Sequence, residues 1–420
     1  MLEDAFAQTR NTRKPGIQIK TSEPSIRLYN RDFFLAMASQ VCFVVANSLL
    51  IHYARWIEHL GGDLSDVGYI NGAGVVLGLI IRPWLGQWIN RLGAKTLWLT
   101  GNAVFAISSI ANLLLFDIGA PIYLARSGIL AGVAIVFSSA LAYITQVAPD
   151  HRRTEAIGIL GAGGFIGMLL GPYLGDWFLG PNIEGAVRDR SAFTNLFVFA
   201  AFANIVPMIF LAFLRPVRMG TSTAPASLMG FFSTVKRFWP GPVVSIAFVF
   251  GVCVTVPFVF LASYVDETPL IIGQRSVIGI FFLGYAGWGF TLRVLWRRLP
   301  ELIGTGNVLS IGTSFMTVGM ISYVLVDESN AWMIIAPALL TGTGHSLMFH
   351  SVTSLTIESF PRELRGTGSV LVSMIMEIGM FIGAIVLGII GEHLGFNWLF
   401  STIGIACAAC AIPLWLIRNR

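Results

Sequence analysis

The chain has 420 residues, 55% of them hydrophobic and 12% charged, and a mean hydropathy of +0.75. A soluble domain is excluded, because soluble proteins contain about 25% charged residues and far fewer long apolar runs. The net charge of +5 is explained by the loop pattern described below, so we expect no nucleic-acid partner.

Twelve apolar segments follow one another along the chain. A helix crosses a bilayer with about 20 consecutive apolar residues, and each segment is long enough to do so. The predicted spans are 33–57, 66–88, 96–117, 121–147, 154–180, 194–214, 241–265, 275–298, 304–326, 330–358, 364–392 and 396–417. We therefore predict an all-α membrane protein with twelve transmembrane helices.

Basic and acidic loops alternate between these spans. The polar segment 1–32 and every second loop contain Arg and Lys, whereas the loops between them contain Asp63, Asp117, Asp266 and Asp327. Because basic loops stay in the cytosol, we expect a multi-pass protein of the cell inner membrane with both termini cytosolic.

A basic segment rich in Pro, Ser and Thr separates the first six spans from the last six. The predicted organisation is a cytosolic tail at 1–32, a six-helix bundle at 33–214, a cytosolic linker at 215–240, a second bundle at 241–417 and a cytosolic end at 418–420. The longest outer loop is predicted at 181–193.

The second bundle repeats the pattern of the first. One set of counterparts is Arg82 with Arg293, Gly93 with Gly304 and Gly101 with Gly312 (293 − 82 = 211). A second set is Pro149 with Pro361, Arg153 with Arg365, Gly167 with Gly379 and Gly171 with Gly383 (361 − 149 = 212). Many secondary transporters are built from two such membrane halves.

The loop after the second span reads Gly86-x-x-x-Asn90-Arg91-x-Gly93-x-Lys95. Gly93 permits a tight turn, and Arg91 and Lys95 hold the loop in the cytosol and can pair across the interface between the halves. With the repeat, this motif resembles the major facilitator superfamily over residues 31–417, which implies two six-helix bundles around a central cavity. In that family an Asp at the position of Asn90 helps to latch the outward-open state, so the resemblance implies here either a weaker latch or one that does not respond to protonation. The alternative is a basic turn placed by topology alone.

The fourth span contains Leu124-x-Arg126-x-x-x-x-x-Gly132, which resembles the Arg-bearing motif of proton-coupled members. A charge inside a membrane costs several kcal/mol unless it is paired or hydrated, so Arg126 is a candidate for coupling or for the outer gate. Because Arg126 lies near the outer end of its span, the alternative is a side chain that reaches the membrane surface.

The fifth span contains Gly167-x-x-x-Gly171-Pro172-x-x-Gly175, which resembles the Gly-Pro motif of antiporter members. Glycines four residues apart allow close helix contact, and Pro172 removes a backbone hydrogen bond and bends the helix. The alternative is ordinary packing of small residues.

Glu377 lies well inside the eleventh span, where the repeat-matched position in the first half is Phe165. A buried carboxylate that protonates reversibly is what proton coupling needs. The alternative is a structural Glu bonded to a neighbouring helix.

Four polar residues are candidates for the substrate cavity. Gln40 and Asn47 are seven positions apart and share a face of the first span. His345 and His350 lie on the tenth span, which lines the cavity in the resembled family. Since they are about 140° apart around the helix, they cannot form one metal site.

We find no nucleotide-binding loop, zinc motif or nucleophile elbow, so we expect neither an enzyme nor a cofactor. The preferred function is proton-coupled antiport that exports a small amphipathic organic compound by alternating access, with the bilayer and protons as partners and a monomer as the working unit. Glu377 and Arg126 are the coupling candidates. The gating candidates are Gly86, Asn90, Arg91, Gly93, Lys95, Arg153, Gly171, Pro172, Arg293, Gly304 and Arg365. The alternatives are import of an organic acid or nucleoside by symport or facilitated transport, and a membrane receptor that transports nothing.

Overall fold

The computed structural model describes residues 28–149, 153–180, 189–216, 228–273, 275–296, 299–361 and 364–418. Within these ranges, eleven helices are long and apolar enough to cross a membrane. The last helix, Phe396–Arg418, has 23 residues and supplies the twelfth span. The predicted all-α fold with twelve spans is confirmed.

The first six spans each end within a few residues of the predicted bounds. Span 1 is Arg31–Leu49 continued by a 3₁₀ turn Leu50–His52 and by Tyr53–His59; span 2 is Leu64–Leu92; span 3 is Ala94–Ala111 with the 3₁₀ turn Asn112–Leu114; span 4 is Ala120–Val147; span 5 is Arg153–Leu179; span 6 is Arg190–Ala203 and Ile205–Ala212.

The second half begins with a short helix, Leu228–Arg237, inside the predicted linker, and continues with six spans, of which spans 7 and 8 are interrupted by π-helical turns. Span 7 is Val243–Thr255, the π-helical turn Val256–Phe260 and Leu261–Glu267; span 8 is Ile278–Phe282, the π-helical turn Leu283–Gly287 and Trp288–Leu295; span 9 is Thr305–Ser322 with Tyr323–Leu325, after a short helix Leu299–Ile303; span 10 is Glu328–Ile334 and Ile335–Glu358; span 11 is Arg365–Leu394; span 12 is Phe396–Arg418.

Two features of the loops differ from the predictions. A β hairpin of strands β1 (Ile271–Ile272) and β2 (Arg275–Ser276) joins spans 7 and 8, which hydropathy does not reveal because each strand has two residues. The predicted outer loop 181–193 is shorter, since span 6 begins at Arg190. Residues 181–188 lie outside the described ranges.

Helix ends have readable causes. The Asn30 side chain caps span 1, and Asp63 and Asp66 form a reciprocal capping box at the start of span 2. Span 2 ends at Gly93, whose φ of +85° is strained for any side chain, and its repeat counterpart Gly304 has a φ of +84°. The two halves thus make the same turn at equivalent positions.

The bundle has two ends, which we define by the loops they carry. The acidic end joins spans 1 to 2, 3 to 4, 7 to 8 and 9 to 10, and the basic end joins spans 2 to 3, 4 to 5, 8 to 9 and 10 to 11. Span 2 packs along span 11, and span 5 packs on span 8, so these two pairs form the long interfaces between the halves. Spans 1 and 7 touch through residues 50–59 and 256–267, which brings the halves together at the acidic end.

Candidate substrate pathway and its gates

Glu377 forms an ion pair between the two halves. The Nε of Arg82 on span 2 donates a hydrogen bond to Oε2 of Glu377 over 2.6 Å, and its Nη2 donates to Oε1. Both side chains are largely buried, with 17% and 19% of their surfaces exposed. A bidentate pair of this kind is strong, and removing either charge leaves the other unpaired in a poorly solvated place.

Arg293 occupies the equivalent position in the other interface but has no carboxylate partner among the described residues. Its guanidinium carbon lies 4.5 Å from the ring centre of Phe165 on span 5 and 5.5 Å from that of Phe349 on span 10. Its Nε is buried without a hydrogen-bond partner in these ranges. Arg293, which was predicted to belong to a gating loop, lies instead in the last turn of span 8 and packs against the opposite half.

His345 lies in the same neighbourhood and His350 at its edge. The Nδ1 of His345 is hydrogen bonded to the hydroxyl of Tyr285, and its ring packs against Phe165 and Phe250. His350 is exposed and packs against Phe349. Both histidines lie within electrostatic reach of Arg293. We call Arg293, Phe165, Phe349, His345, Tyr285 and Phe250 the Arg293 cluster.

Arg126 is buried inside the first half, with 6% of its surface exposed. Its Nε donates to Oδ1 of Asn71 over 3.0 Å, and its guanidinium lies 4.3 Å from the ring centre of Tyr53. The alternative of a side chain that reaches the membrane surface is wrong, because Asn71 and Tyr53 hold Arg126 between spans 1, 2 and 4. No carboxylate faces it among the described residues.

The two polar residues on span 1 have hydrogen-bonding groups without partners in the described part of the chain. Gln40 is 1% exposed, and its Oε1 has no partner in the described part of the chain. Asn47 is half-buried, and no hydrogen bond of its side chain is found among the described residues. Amide groups left open in this way are suited to a ligand or to water.

A buried charge network closes the acidic end. Arg55 of span 1 is 2% exposed and donates to both carboxylate oxygens of Asp266 on span 7, over 2.7 and 2.6 Å. Its Nη1 also donates to Asp176 on span 5 over 3.3 Å and to Nδ1 of His52 over 3.0 Å. Asp176 in turn accepts hydrogen bonds from the second half, 2.8 Å from Oγ of Ser276 and 3.1 Å from the backbone N of Gly279. We call Arg55, His52, Asp176, Asp266 and Ser276 the Arg55 network.

The signature segment after span 2 is helical rather than a loop. Span 2 continues to Leu92, so Gly86, Asn90 and Arg91 lie on its last two turns. The side chain of Asn90 lies outside what the structure describes, and Arg91 is exposed. Helical hydrogen bonding continues through this polar stretch because no residue of it before Gly93 takes a positive φ.

Lys95 stays within its own half. Its Nζ donates to the carbonyl oxygens of Ala212 and Leu214 at the end of span 6, over 2.9 and 2.7 Å. These are carbonyls left free at a helix C-terminus, which attracts cations. The expectation that Lys95 pairs across the interface between the halves is therefore wrong.

The remaining gating candidates lie at packed or terminal positions. A methyl group at Gly171 would come within 2.4 Å of Ser48, so spans 1 and 5 are in close contact there. Span 5 runs unbroken through Pro172, whose carbonyl accepts a hydrogen bond from Nε2 of His52 over 3.2 Å. Arg153 and Arg365 begin spans 5 and 11, and their side chains lie outside the described part of the structure.

The family model of the Major Facilitator Superfamily matches residues 33–270 and 268–420. The chain belongs to the Major Facilitator Superfamily. Among its curated relatives in this superfamily, Multidrug resistance protein 1 of Bacillus subtilis (strain 168) is 25% identical over 373 residues, covering 85% of this chain and 88% of the relative.

Two further comparisons extend the likeness. Quinolone resistance protein NorA of Staphylococcus aureus (strain COL) is 21% identical over 380 residues, with 87% of this chain and 91% of the relative covered. The crystal structure of a mutant of the nucleoside transporter NupG superposes with a TM-score of 0.76 at 12% identity, over 92% of this chain and 99% of that one. At this identity the match shows the fold alone. The protein is a multi-pass membrane transporter of the superfamily.

The Arg55 network is the part of this superfamily member that sequence reasoning missed. Asp266 was expected in an acidic outer loop, yet it lies in the last turn of span 7 as the partner of Arg55. Two patterns in the sequence point to the network. Arg55 and Asp266 are 211 positions apart, the spacing of the repeat, and Asp176 interrupts the apolar run of span 5.

Proposed function

We propose that this protein exports a small amphipathic organic compound in exchange for protons. The observation that carries the proposal is the ion pair of Arg82 and Glu377, which joins spans 2 and 11 of opposite halves. Relatives named for multidrug and quinolone resistance favour export over import.

The coupling step follows from the charge balance of this pair. Protonation of Glu377 removes the negative charge that holds Arg82 and weakens the contact between the halves. Loss of the proton restores the pair, so the proton changes which relative position of the halves is favoured. Arg126 has a supporting role in coupling. It packs on Tyr53 and so holds span 1 in place next to the Arg55 network.

We assign the acidic end to the outside of the cell and the basic end to the cytosol, with both termini cytosolic, because the basic loops follow the positive-inside rule. With the Arg55 network closed, the described state has its outer gate shut. Gln40, Asn47, His345 and His350 then face a pathway entered from the cytosol. A monomer in the inner membrane of a bacterium suffices for this cycle.

Three kinds of element move with the gates. They are the turns at Gly93 and Gly304, the close contact at Gly171 and Pro172, and the helix starts at Arg153 and Arg365. Gly86, Asn90 and Arg91 lie on the last turns of span 2 and move with the turn at Gly93. Lys95 ties the start of span 3 to the end of span 6, and Arg293 lies between spans 8 and 5.

Transport in proteoliposomes tests the proposal. A quinolone, which is amphipathic and fluorescent, is expected to accumulate in vesicles with an acidic interior and to leave when the pH gradient collapses. Symport predicts accumulation with an alkaline interior, a receptor predicts no flux, and protein-free vesicles report passive partition. Accumulation that does not depend on the pH gradient contradicts proton coupling.

The Glu377→Gln variant gives the sharper result. Gln can still accept a hydrogen bond from Arg82, so we expect folded protein that has lost pH-dependent transport. Glu392→Gln is the matched control, because Glu392 also lies on span 11 and bonds across the same interface to the backbone N of Leu64, but is exposed. If Glu377→Gln keeps the pH profile of the unaltered protein, the carboxylate has a structural role.

A further inference from the structure

The guanidinium of Arg293 lacks an anionic partner among the described residues. Its Nε is buried without a hydrogen-bond partner there, and its surroundings are the rings of Phe165 and Phe349. Rings attract a cation through their faces, but they recover only part of the hydration that a buried guanidinium loses. Arg293 is therefore a strong site for a negative group that the described part of the chain does not supply.

The repeat shows what is missing. In the interface of spans 2 and 11 the equivalent arginine, Arg82, meets the carboxylate of Glu377. The position equivalent to Glu377 in the interface of spans 5 and 8 is Phe165. The same backbone arrangement thus holds an ion pair on one side and an arginine against a ring on the other, with the carboxylate replaced by an apolar surface.

The cluster around Arg293 is aromatic and has an open side. The rings of Phe165, Phe250 and Tyr285 surround His345 with centroid separations of 5.1 to 5.8 Å. Phe349 is 37% exposed and His350 is also exposed, so a ligand can approach Arg293 along this face. A flat apolar body fits these rings while a negative group reaches the guanidinium.

We propose that the Arg293 cluster binds an organic anion, a carboxylate carried on an aromatic body, as the substrate of this transporter. The inference rests on the proposed export function and names its substrate class. Arg293 binds the carboxylate, and the rings of Phe165 and Phe349 contact the apolar body.

Three probes with one ring system and different charges test the site: 2-naphthoate, 2-naphthamide and 2-naphthylmethylammonium. Binding is measured on the full chain in detergent as a rise in melting temperature and by titration calorimetry. We expect 2-naphthoate to bind, and the amide and the ammonium to bind about 10- to 100-fold more weakly, since the neutral amide cannot form an ion pair with Arg293 and the ammonium is repelled by it. Arg293→Gln should lose the preference for the carboxylate.

Phe165→Glu with Phe165→Gln as its matched control makes the test specific. The Glu variant gives Arg293 the internal carboxylate that Arg82 already has, so it should lower 2-naphthoate affinity at least about tenfold. The Gln variant loses the same ring contact with the apolar body but adds no charge, so its affinity should fall less than that of the Glu variant, and the difference between the two variants measures the effect of the carboxylate. The melting temperature without probe shows that each variant folds.

Three results overturn the inference: no binding of 2-naphthoate at millimolar concentration, equal binding of the carboxylate and the amide, or equal losses in Phe165→Glu and Phe165→Gln. These measurements use no gradient, so they are separate from the transport assay. Naphthoate bound at Arg293 without proton-driven flux contradicts the export function alone. Proton-driven flux of the ammonium probe without naphthoate binding contradicts the anion site alone.

Discussion

The interface of spans 2 and 11 and the interface of spans 8 and 5 occupy equivalent places in the two halves but distribute their charges differently. Toward the basic end, the first contains Arg82 and Glu377 and the second contains Arg293 and Phe165. Toward the acidic end it is the second interface that contains a buried carboxylate. Gly68 lies against Gly388 in the first interface, whereas the equivalent Gly279 donates its backbone N–H to Asp176 in the second.

Among the described residues, each interface therefore carries one largely buried carboxylate, and the two lie at opposite ends. Glu377 holds spans 2 and 11 together in the basic half of the bundle, and Asp176 helps to close the acidic end together with Arg55. The two similar backbones thus carry a candidate proton-sensitive contact in one interface and part of a candidate gate in the other. The remaining arginine, Arg293, lies against the rings of Phe165 and Phe349.

The largest expected effect comes from breaking the ion pair of the first interface. Glu377→Leu leaves Arg82 charged and poorly solvated, and we expect the free energy of unfolding to fall by about 2–4 kcal/mol. The double variant Arg82→Met, Glu377→Leu removes both charges and should recover most of this loss. Unfolding titrations of the two single variants and the double variant in detergent measure the coupling between the two positions. Additive losses in the double variant would show that the pair contributes nothing as a pair.

A smaller effect is expected at the acidic end. Asp266→Asn keeps the shape of the side chain but removes the charge opposite Arg55, so the gate should open more often by about 10- to 100-fold. The rate at which a membrane-impermeant maleimide modifies a cysteine placed at Val256, which is fully buried, reports this opening in a background without the native cysteines. Asp327→Asn is the control, since Asp327 is exposed at the same end. Equal modification rates in both variants would show that the Arg55 network does not keep the gate closed.

The smallest effect distinguishes the glycines of the two interfaces. A methyl group at Gly68 would lie 2.4 Å from the backbone oxygen of Ala384, whereas at Gly279 the nearest atom is a side-chain atom of Tyr173 at 3.3 Å. Gly68→Ala should therefore cost about 1–2 kcal/mol, and Gly279→Ala less than about 0.5 kcal/mol, because a ring can move and a packed backbone cannot. Melting temperatures of the two variants check this order, and a larger drop for Gly279→Ala would contradict the packing described.

The twelve spans and two of the turns between them were predictable because they depend on local properties. A bilayer requires about 20 apolar residues in succession, and each such run can be counted. The turns at Gly93 and Gly304 were also expected, because the two glycines occupy repeat-matched positions. In the structure both take a positive φ. The helical course of Gly86–Leu92 was not expected, because polar residues near a membrane surface fit a helix and a loop equally well.

By itself the sequence determined the membrane fold, the two equivalent halves and the presence of Glu377 and Arg126 within apolar spans. Only the tertiary structure decided which partner each charge has: Glu377 with Arg82, Arg126 with Asn71, Arg55 with Asp266 and Asp176, and Arg293 with two rings. The physical reason is that hydropathy belongs to each segment separately. The partner of a buried charge depends on how far each helix is rotated and shifted against its neighbour, and packing across the whole bundle sets both.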